Sequence, residues 1–240
     1  MGKHRRLAQL EDTALAMAQA LEPLVLPRRL EKMRAVLATR SDHVVFAFEA
    51  MVDPHNLSAA LRSLDAFSFQ DVYLVRYQGK TGLSKGVTRG ADKWLSVHAM
   101  ESTAELAVRL KERGYRLAAS HLRHDAVDLE QMDFSQPTAL LFGNEHAGVG
   151  PEALALADLV FRIPMRGFVE SFNLSVSAAL AAQTARREID RLGAEDQAPW
   201  RLDPLRRNML YAAWLRRHVR RGEEILAKKG IDHRLIPLDP

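Results

Sequence analysis

Three short segments of this 240-residue chain combine side chains that could hold a substrate and act on it. The first, Asp53 to Ser63, reads DPHNLSAALRS. Pro54 and His55 end the element before them, Asn56 can cap a helix through its side-chain oxygen, and Arg62 follows six residues into that helix. The second, Leu140 to Val149, reads LLFGNEHAGV. Here an apolar run passes directly into Gly143-Asn144-Glu145, with Gly148 and Gly150 close behind. A strand ending in such a turn exposes backbone amides and carbonyls at its carboxyl end, where α/β sheets take up ligands. A plain turn would need the glycine but not Glu145 beside it. The third, Ile163 to Leu180, reads IPMRGFVESFNLSVSAAL. It runs through Ser171-Phe172-Asn173 into a helix whose Ala178, Ala179, Ala181 and Ala182 permit close approach, in a core or between subunits. Arginine carries a fixed positive charge and amides both donate and accept. Taken singly, each segment also fits a capped helix or an ordinary turn.

Several familiar signatures fail on spacing. Gly79-Lys80-Thr81 resembles the end of a phosphate-binding P-loop, but Leu74 stands where the earlier glycine is required. Gly143, Gly148 and Gly150 are wrongly spaced for a dinucleotide fingerprint. Ser171 lacks the flanking glycines of a nucleophile elbow. His121 and His124 lie three apart without a clear third ligand, so no metal site is expected. The chain has no cysteine, which removes disulfides, thiolate zinc sites and cysteine nucleophiles together.

The elements that must position the three segments alternate. Helical periodicity covers residues 7–22 and about 28–39. Apolar runs at Val44–Phe48, Val72–Val75, near Trp94–Val97, and at Arg116–Ser120, Thr138–Phe142 and Leu159–Ile163 read as strands. Helices are expected at about 56–67, 101–113, from Pro151, and from about Asn173 to Arg191. Strands alternating with helices imply an α/β fold, a mainly parallel sheet covered on both faces. The basic loop Tyr77–Gly90 follows the second strand, and Gly193–Pro199 reads as a linker to a helical C-terminal part over 203–229. Charge divides the chain the same way. Residues 1–40 carry a net +4, residues 201–234 a net +6, and residues 41–200 a net −5. Basic ends attract polyphosphate backbones, and equally describe a pair of solvated helices. No apolar run reaches 18 residues and no signal-peptide pattern is present, so a cytoplasmic protein without membrane contact is expected.

In order and spacing, Asn56 to Arg62, Phe142 to Gly148 and Ile163 to Ser175 resemble the three motifs of the SpoU/TrmH branch of the SPOUT RNA methyltransferases. The resemblance covers about residues 28–230, and HNLSAALR with the basic ends looks most like the tRNA guanosine-2′-O-methyltransferases. It implies a SPOUT domain over 41–192, with a trefoil knot in the C-terminal half of the sheet, a topology otherwise almost absent. Basic helical extensions over 1–40 and 193–240 would flank it. It implies S-adenosylmethionine held by the loops Leu117–Leu122, Leu141–Gly148 and Ile163–Asn173, with contacts at Ser120, Gly143, Ile163 and Phe172, the last in place of the family's usual leucine.

The implied reaction is methyl transfer to a ribose 2′-hydroxyl of tRNA, at a D-loop guanosine (position 18), by a homodimer whose site lies at the subunit interface. Arg62 would act on the hydroxyl or its phosphate, Asn56 would orient Arg62 or the ribose, Glu145 would support the loop or orient a polar partner in the site, and Ser171 and Asn173 would bind substrate or fix their turn. Arg28, Arg29, Arg216, Arg217, Arg220 and Arg221 would contact RNA phosphates. Two alternatives stay open: an rRNA 2′-O-methyltransferase of the same branch, and a non-catalytic RNA-binding module.

Overall fold

The computed structural model describes residues 2–51, 53–75, 90, 93–144, 147–193 and 200–238. Glu145 and the basic loop Tyr77–Gly90, apart from Gly90, lie outside them. The chain forms two compact units: residues 41–200, and the two ends, 1–40 with 201–240.

The central unit is built on strands β1 (Val44–Glu49), β2 (Asp71–Val75), β3 (Ser96–Met100), β4 (Arg116–Ser120), β5 (Val127–Asp128), β6 (Thr138–Phe142) and β7 (Leu159–Arg162). Among the described residues they make one seven-stranded sheet in the order β3-β2-β1-β6-β4-β7-β5, and every pairing is parallel. A parallel sheet must be covered on both sides, and its alternating residues feed two separate cores. Val44, Phe46, Phe48, Leu140 and Phe142 face α3 (Pro54–Ala66) and α6 (Leu174–Leu192). Val45, Ala47, Ala139 and Leu141 face α4 (Thr103–Glu112) and α5 (Pro151–Leu156). This explains why β1 reads as an unbroken apolar run.

The α/β expectation and its parallel sheet hold, with boundary shifts. The third strand begins at Ser96, two residues beyond Trp94, and β5 has no counterpart in the sequence reading because two residues carry no periodicity. Of the alanines singled out in α6, Ala178, Ala181 and Ala182 are fully buried, with Ala185, in the same core as Leu57, Ala60, Leu61 and Leu64 of α3, whereas Ala179 is partly buried.

The terminal unit contains α1 (Lys3–Leu21), α2 (Pro27–Thr39), α7 (Pro204–His218) and α8 (Gly222–Lys228), with α1 packed along α7. Glu22 Oε1 accepts from both Arg34 Nη2 at 2.5 Å and Tyr211 Oη at 2.8 Å. The buried Arg40 guanidinium stands 5.5 Å above the Trp214 ring. Arg216 corrects one expectation. It is only 6% exposed, donates from Nη1 to the His233 carbonyl at 2.6 Å, and pairs with Glu223. A guanidinium committed inside the unit cannot also grip a phosphate, so Arg216 is removed from the expected RNA contacts. Arg28, Arg220 and Arg221 are exposed, while Arg29 and Arg217 are partly so. Among the described residues no helix is long and apolar enough to cross a membrane.

His43, just before β1, donates from Nε2 to the Phe134 carbonyl at 2.8 Å and packs edge-on against Trp200. Burial pushes its titration below the ordinary value of 6.5, against the opposing pull of that carbonyl. A depressed histidine contributes stability above its unfolded value and loses it as pH falls, because the unfolded chain then takes up the proton first. The urea midpoint should therefore decline from about pH 6.5 downward, and His43→Gln should flatten that decline. An unaltered slope in the variant would refute the assignment.

Candidate functional site

Three strands of the central unit end side by side, and the loops that leave them enclose one cavity of about 370 Å³, within the usual range for small-molecule sites. Its wall includes Ser120 and His121 at the end of β4, Phe142 to Asn144 with Ala147 and Gly148 at and beyond the end of β6, and Ile163, Met165 and Glu170 to Phe172 after β7. This is the carboxyl edge of the sheet, where strand ends present unpaired backbone groups to a ligand. Adjacent strand pairing brings the first and third loops together: Ser120 pairs with Phe161, and His121 N–H donates to the Phe161 carbonyl at 2.9 Å.

The middle loop is the tightest feature. Asn144 and Gly148 exchange backbone hydrogen bonds at 3.0 and 2.8 Å, and Gly148 has a φ of +65°. This folds the chain back so closely that a Cβ on Gly143 would lie 2.0 Å from the Gly148 carbonyl carbon. Asn144 Nδ2 donates to the Ala50 carbonyl at 2.9 Å, anchoring the loop to the end of β1. Phe142 roots it in the core, stacked on Phe48 at 5.8 Å and edge-on to Phe161 at 5.6 Å.

Of the expected cofactor contacts, Ser120, Gly143, Ile163 and Phe172 all line this cavity, as does Ser171. Asn173 lies beside it and performs two tasks. Its Oδ1 caps α6, accepting from Ser175 N at 2.8 Å and Ser175 Oγ at 2.6 Å, and its Nδ2 donates to Asn56 Oδ1 at 2.9 Å. The first and third motifs are thus joined by one amide pair. Asn56 is not the helix cap expected from the sequence. Asp53 holds that position, its Oδ1 accepting from His55 N at 2.8 Å, and Asn56 sits in the first turn with its amide turned to Asn173. Arg62 is exposed on α3 and is not part of the cavity wall. Glu145 lies outside the described residues.

Arg162 and Glu170 also line the cavity and were not singled out from sequence. Arg162 is neutralised by Asp128, its Nε donating to Oδ1 at 2.6 Å. That pair depends on β5 and β7 being neighbours, a non-local fact. Glu170 stood inside the third motif as an unremarkable position.

A family model described as the SpoU rRNA methylase family matches residues 43–183, which hold the sheet and all three loops. The chain belongs to the SpoU rRNA methylase family. Within it, the chain is 38% identical over 79% of its length to a tRNA (guanosine(18)-2′-O)-methyltransferase of Thermus thermophilus, covering 96% of that protein. It is 34% identical over 70% of its length to the Escherichia coli K12 protein of the same name, covering 73% of it. Among solved structures it resembles the Aquifex aeolicus TrmH/SpoU tRNA modifying enzyme, with a TM-score of 0.73 and 28% identity over 81% of this chain and 98% of that one. It also resembles an AdoMet-bound rRNA methyltransferase from Sinorhizobium meliloti, with a TM-score of 0.57 and 27% identity over 65% of this chain and 60% of that one.

In this methylase, Gly143 is a glycine because backbone faces backbone, not because of its φ. Gly143→Ala should lower stability by about 1–3 kcal/mol, the usual cost of forcing atoms into a packed site. Gly167→Ala, with nothing within 4 Å of the added carbon, should stay within about 0.5 kcal/mol. Equal urea midpoints for the two variants would contradict the packing argument.

Proposed function

We propose that the protein transfers a methyl group from S-adenosylmethionine to the ribose 2′-hydroxyl of a D-loop guanosine, position 18, of tRNA in the cytoplasm. The observation that carries this reading is the convergence of the second and third motifs, with the loop after β4, on one cavity, and the Asn56–Asn173 bridge that ties the first motif to the third. The names of the relatives aligned over most of the chain support the tRNA substrate.

The cavity suits the cofactor's chemistry. Phe142, Ile163, Met165 and Phe172 offer apolar surface for a purine, and the turns around Gly143 and Gly148 offer close backbone contact. Glu170 brings a carboxylate towards a cationic sulfonium, while Arg162 is already neutralised by Asp128. When bound, S-adenosylmethionine supplies an electrophilic methyl group; the chain's task is to place an oxygen in line with it. Ser120, Gly143, Ile163 and Phe172 are the proposed cofactor contacts. Ser171 and Asn173 hold the ribose side, and Glu145 is proposed to support the second-motif loop or to orient a polar partner in the site.

Arg62 is the proposed catalytic arginine. Guanidinium stays protonated under ordinary conditions, so its role is to hold a substrate phosphate and stabilise the developing alkoxide, with Asn56 orienting it. Its exposure and its absence from the cavity wall of its own chain fit a homodimer in which the partner's α3 completes the site. The outward apolar side chains Phe168, Val169, Val176 and Leu180 beside the cavity supply surface for that partner. The reading also includes the family's trefoil knot, supported by the placement of β6 between β1 and β4.

Mapping 2′-O-methyl groups in total RNA with and without the gene tests the substrate, and a lost rRNA site instead of guanosine 18 of tRNA would overturn it. Arg62→Ala should abolish methyl transfer and leave S-adenosylmethionine affinity nearly unchanged. Mixed dimers of Arg62→Ala and Ile163→Trp chains should recover activity that neither variant has alone. Recovery absent from verified mixed dimers would argue against a shared site.

The exposed Arg28, Arg220 and Arg221 and the partly exposed Arg29 and Arg217 of the terminal unit are proposed to hold the tRNA backbone, supplying affinity without reading sequence. Neutralising Arg217, Arg220 and Arg221 together should weaken tRNA binding and lower the log–log salt slope by roughly 0.7–0.9 for each lost phosphate contact. Turnover at saturating tRNA should change little. An unchanged slope would assign these arginines to helix solvation alone.

A further inference from the structure

A buried carboxylate at the end of β1 holds one end of the cavity's middle loop and takes no part in lining the cavity. Glu49 is the last residue of β1 and only 4% exposed. Two neutral donors hold it. The Thr103 hydroxyl, at the start of α4, donates to Oε1, and the Gly150 backbone N–H donates to Oε2 at 2.9 Å. The other five residues of β1 are apolar. Burying an ionised carboxylate is costly even when it is hydrogen-bonded, and an apolar residue of similar size often serves stability as well. Stability alone therefore does not account for a glutamate here.

Its position does. The loop that forms the middle wall of the cavity begins after Phe142 and ends at Gly150. Its entrance is held where Asn144 Nδ2 donates to the carbonyl of Ala50, and its exit where Gly150 donates to Glu49. Two consecutive residues at the end of one strand thus grip both ends of the loop. Ala50 adopts a φ of +51°, an unfavourable conformation for alanine that persists only when neighbouring contacts enforce it. From the same turn the chain runs on into α3, which carries Asn56 and Arg62.

We propose that Glu49 is a positioning residue for the cofactor: through Gly150 its carboxylate holds the Ala147–Gly150 return of the cavity wall in its binding shape before S-adenosylmethionine arrives. Pre-ordering a loop removes the ordering cost from the binding step, so losing the clamp weakens binding without touching the reacting atoms. This rests on the cavity being the cofactor site, as proposed above.

The test is calorimetric titration of the full chain with S-adenosylmethionine, without RNA, at a temperature where circular dichroism finds each variant folded. Glu49→Gln keeps the volume but removes the charge, and should raise Kd about tenfold, the ratio expected for loss of one charge-assisted hydrogen bond. Thr103→Val leaves the Gly150 contact in place and should raise Kd less, whereas Glu49→Ala should raise it most. In turnover assays the KM for S-adenosylmethionine should rise while kcat at saturation stays within about twofold. A purely structural role would lower the melting temperature and leave Kd unchanged.

Ile163→Trp, which fills the cavity, is the control. If it abolishes binding while Glu49→Gln and Thr103→Val bind like the unmodified chain, the clamp is refuted and the cavity assignment survives. If Ile163→Trp binds normally, the cavity assignment fails and the clamp falls with it. Glu49→Gln and Thr103→Val decide the matter even if Glu49→Ala does not fold.

Discussion

Backbone packed on backbone at Gly143 is the constraint from which the rest of the site follows. The residue leaves β6 at the centre of the sheet, and the chain returns over it at Gly148 and Val149 with no space for a side chain. Because the return is so close, Asn144 and Gly148 can exchange hydrogen bonds, and the Asn144 side chain is left facing the end of β1. The two described sides of the loop are consequently tied to each other and to the end of β1. A wall tied in this way suits a ligand gripped largely by backbone groups, since such groups cannot adapt by changing rotamer.

Around that wall the sheet does the collecting. Parallel strands all finish at one edge, so loops distant in sequence emerge together whenever their strands are neighbours. With β6 between β1 and β4, and β7 beyond β4, the loops after β4, β6 and β7 share an edge with the turn that starts α3. The Asn56–Asn173 bridge closes the group. Helix packing reinforces it, because the alanine-rich side of α6 lies against α3 and fixes where both helices begin. The same packing leaves the other side of α6, with Val176 and Leu180, turned outward.

Charge is separated just as clearly. The central unit is acidic and the terminal unit strongly basic, a division suited to a cationic small molecule in one and a polyanion on the other. The pairing of Arg162 with Asp128 removes a positive charge from the cavity wall. Within the terminal unit not every arginine is available to a polyanion, as Arg40 on Trp214 and Arg216 on His233 and Glu223 illustrate. Net charge counts such residues as equivalent to exposed ones, and burial distinguishes them.

What the sequence determined by itself was local. The apolar runs at Val44–Phe48 and Thr138–Phe142 and the periodicity after Asn173 located β1, β6 and α6 closely, because strand and helix periods are written in neighbouring residues. The second and third motifs named most of the cavity wall for the same reason. Tertiary structure alone decided which residues meet. Asp53 rather than Asn56 caps α3, since Asn56 is drawn to Asn173, which lies 117 positions away. Glu49 reads as the end of an apolar strand until Gly150 and Thr103 are brought to it. Arg216 reads as one basic residue among several until α7 packs it inward. The two terminal segments form one unit although 160 residues separate them. Hydrogen bonds and burial depend on distances in space, and periodicity records only distances along the chain.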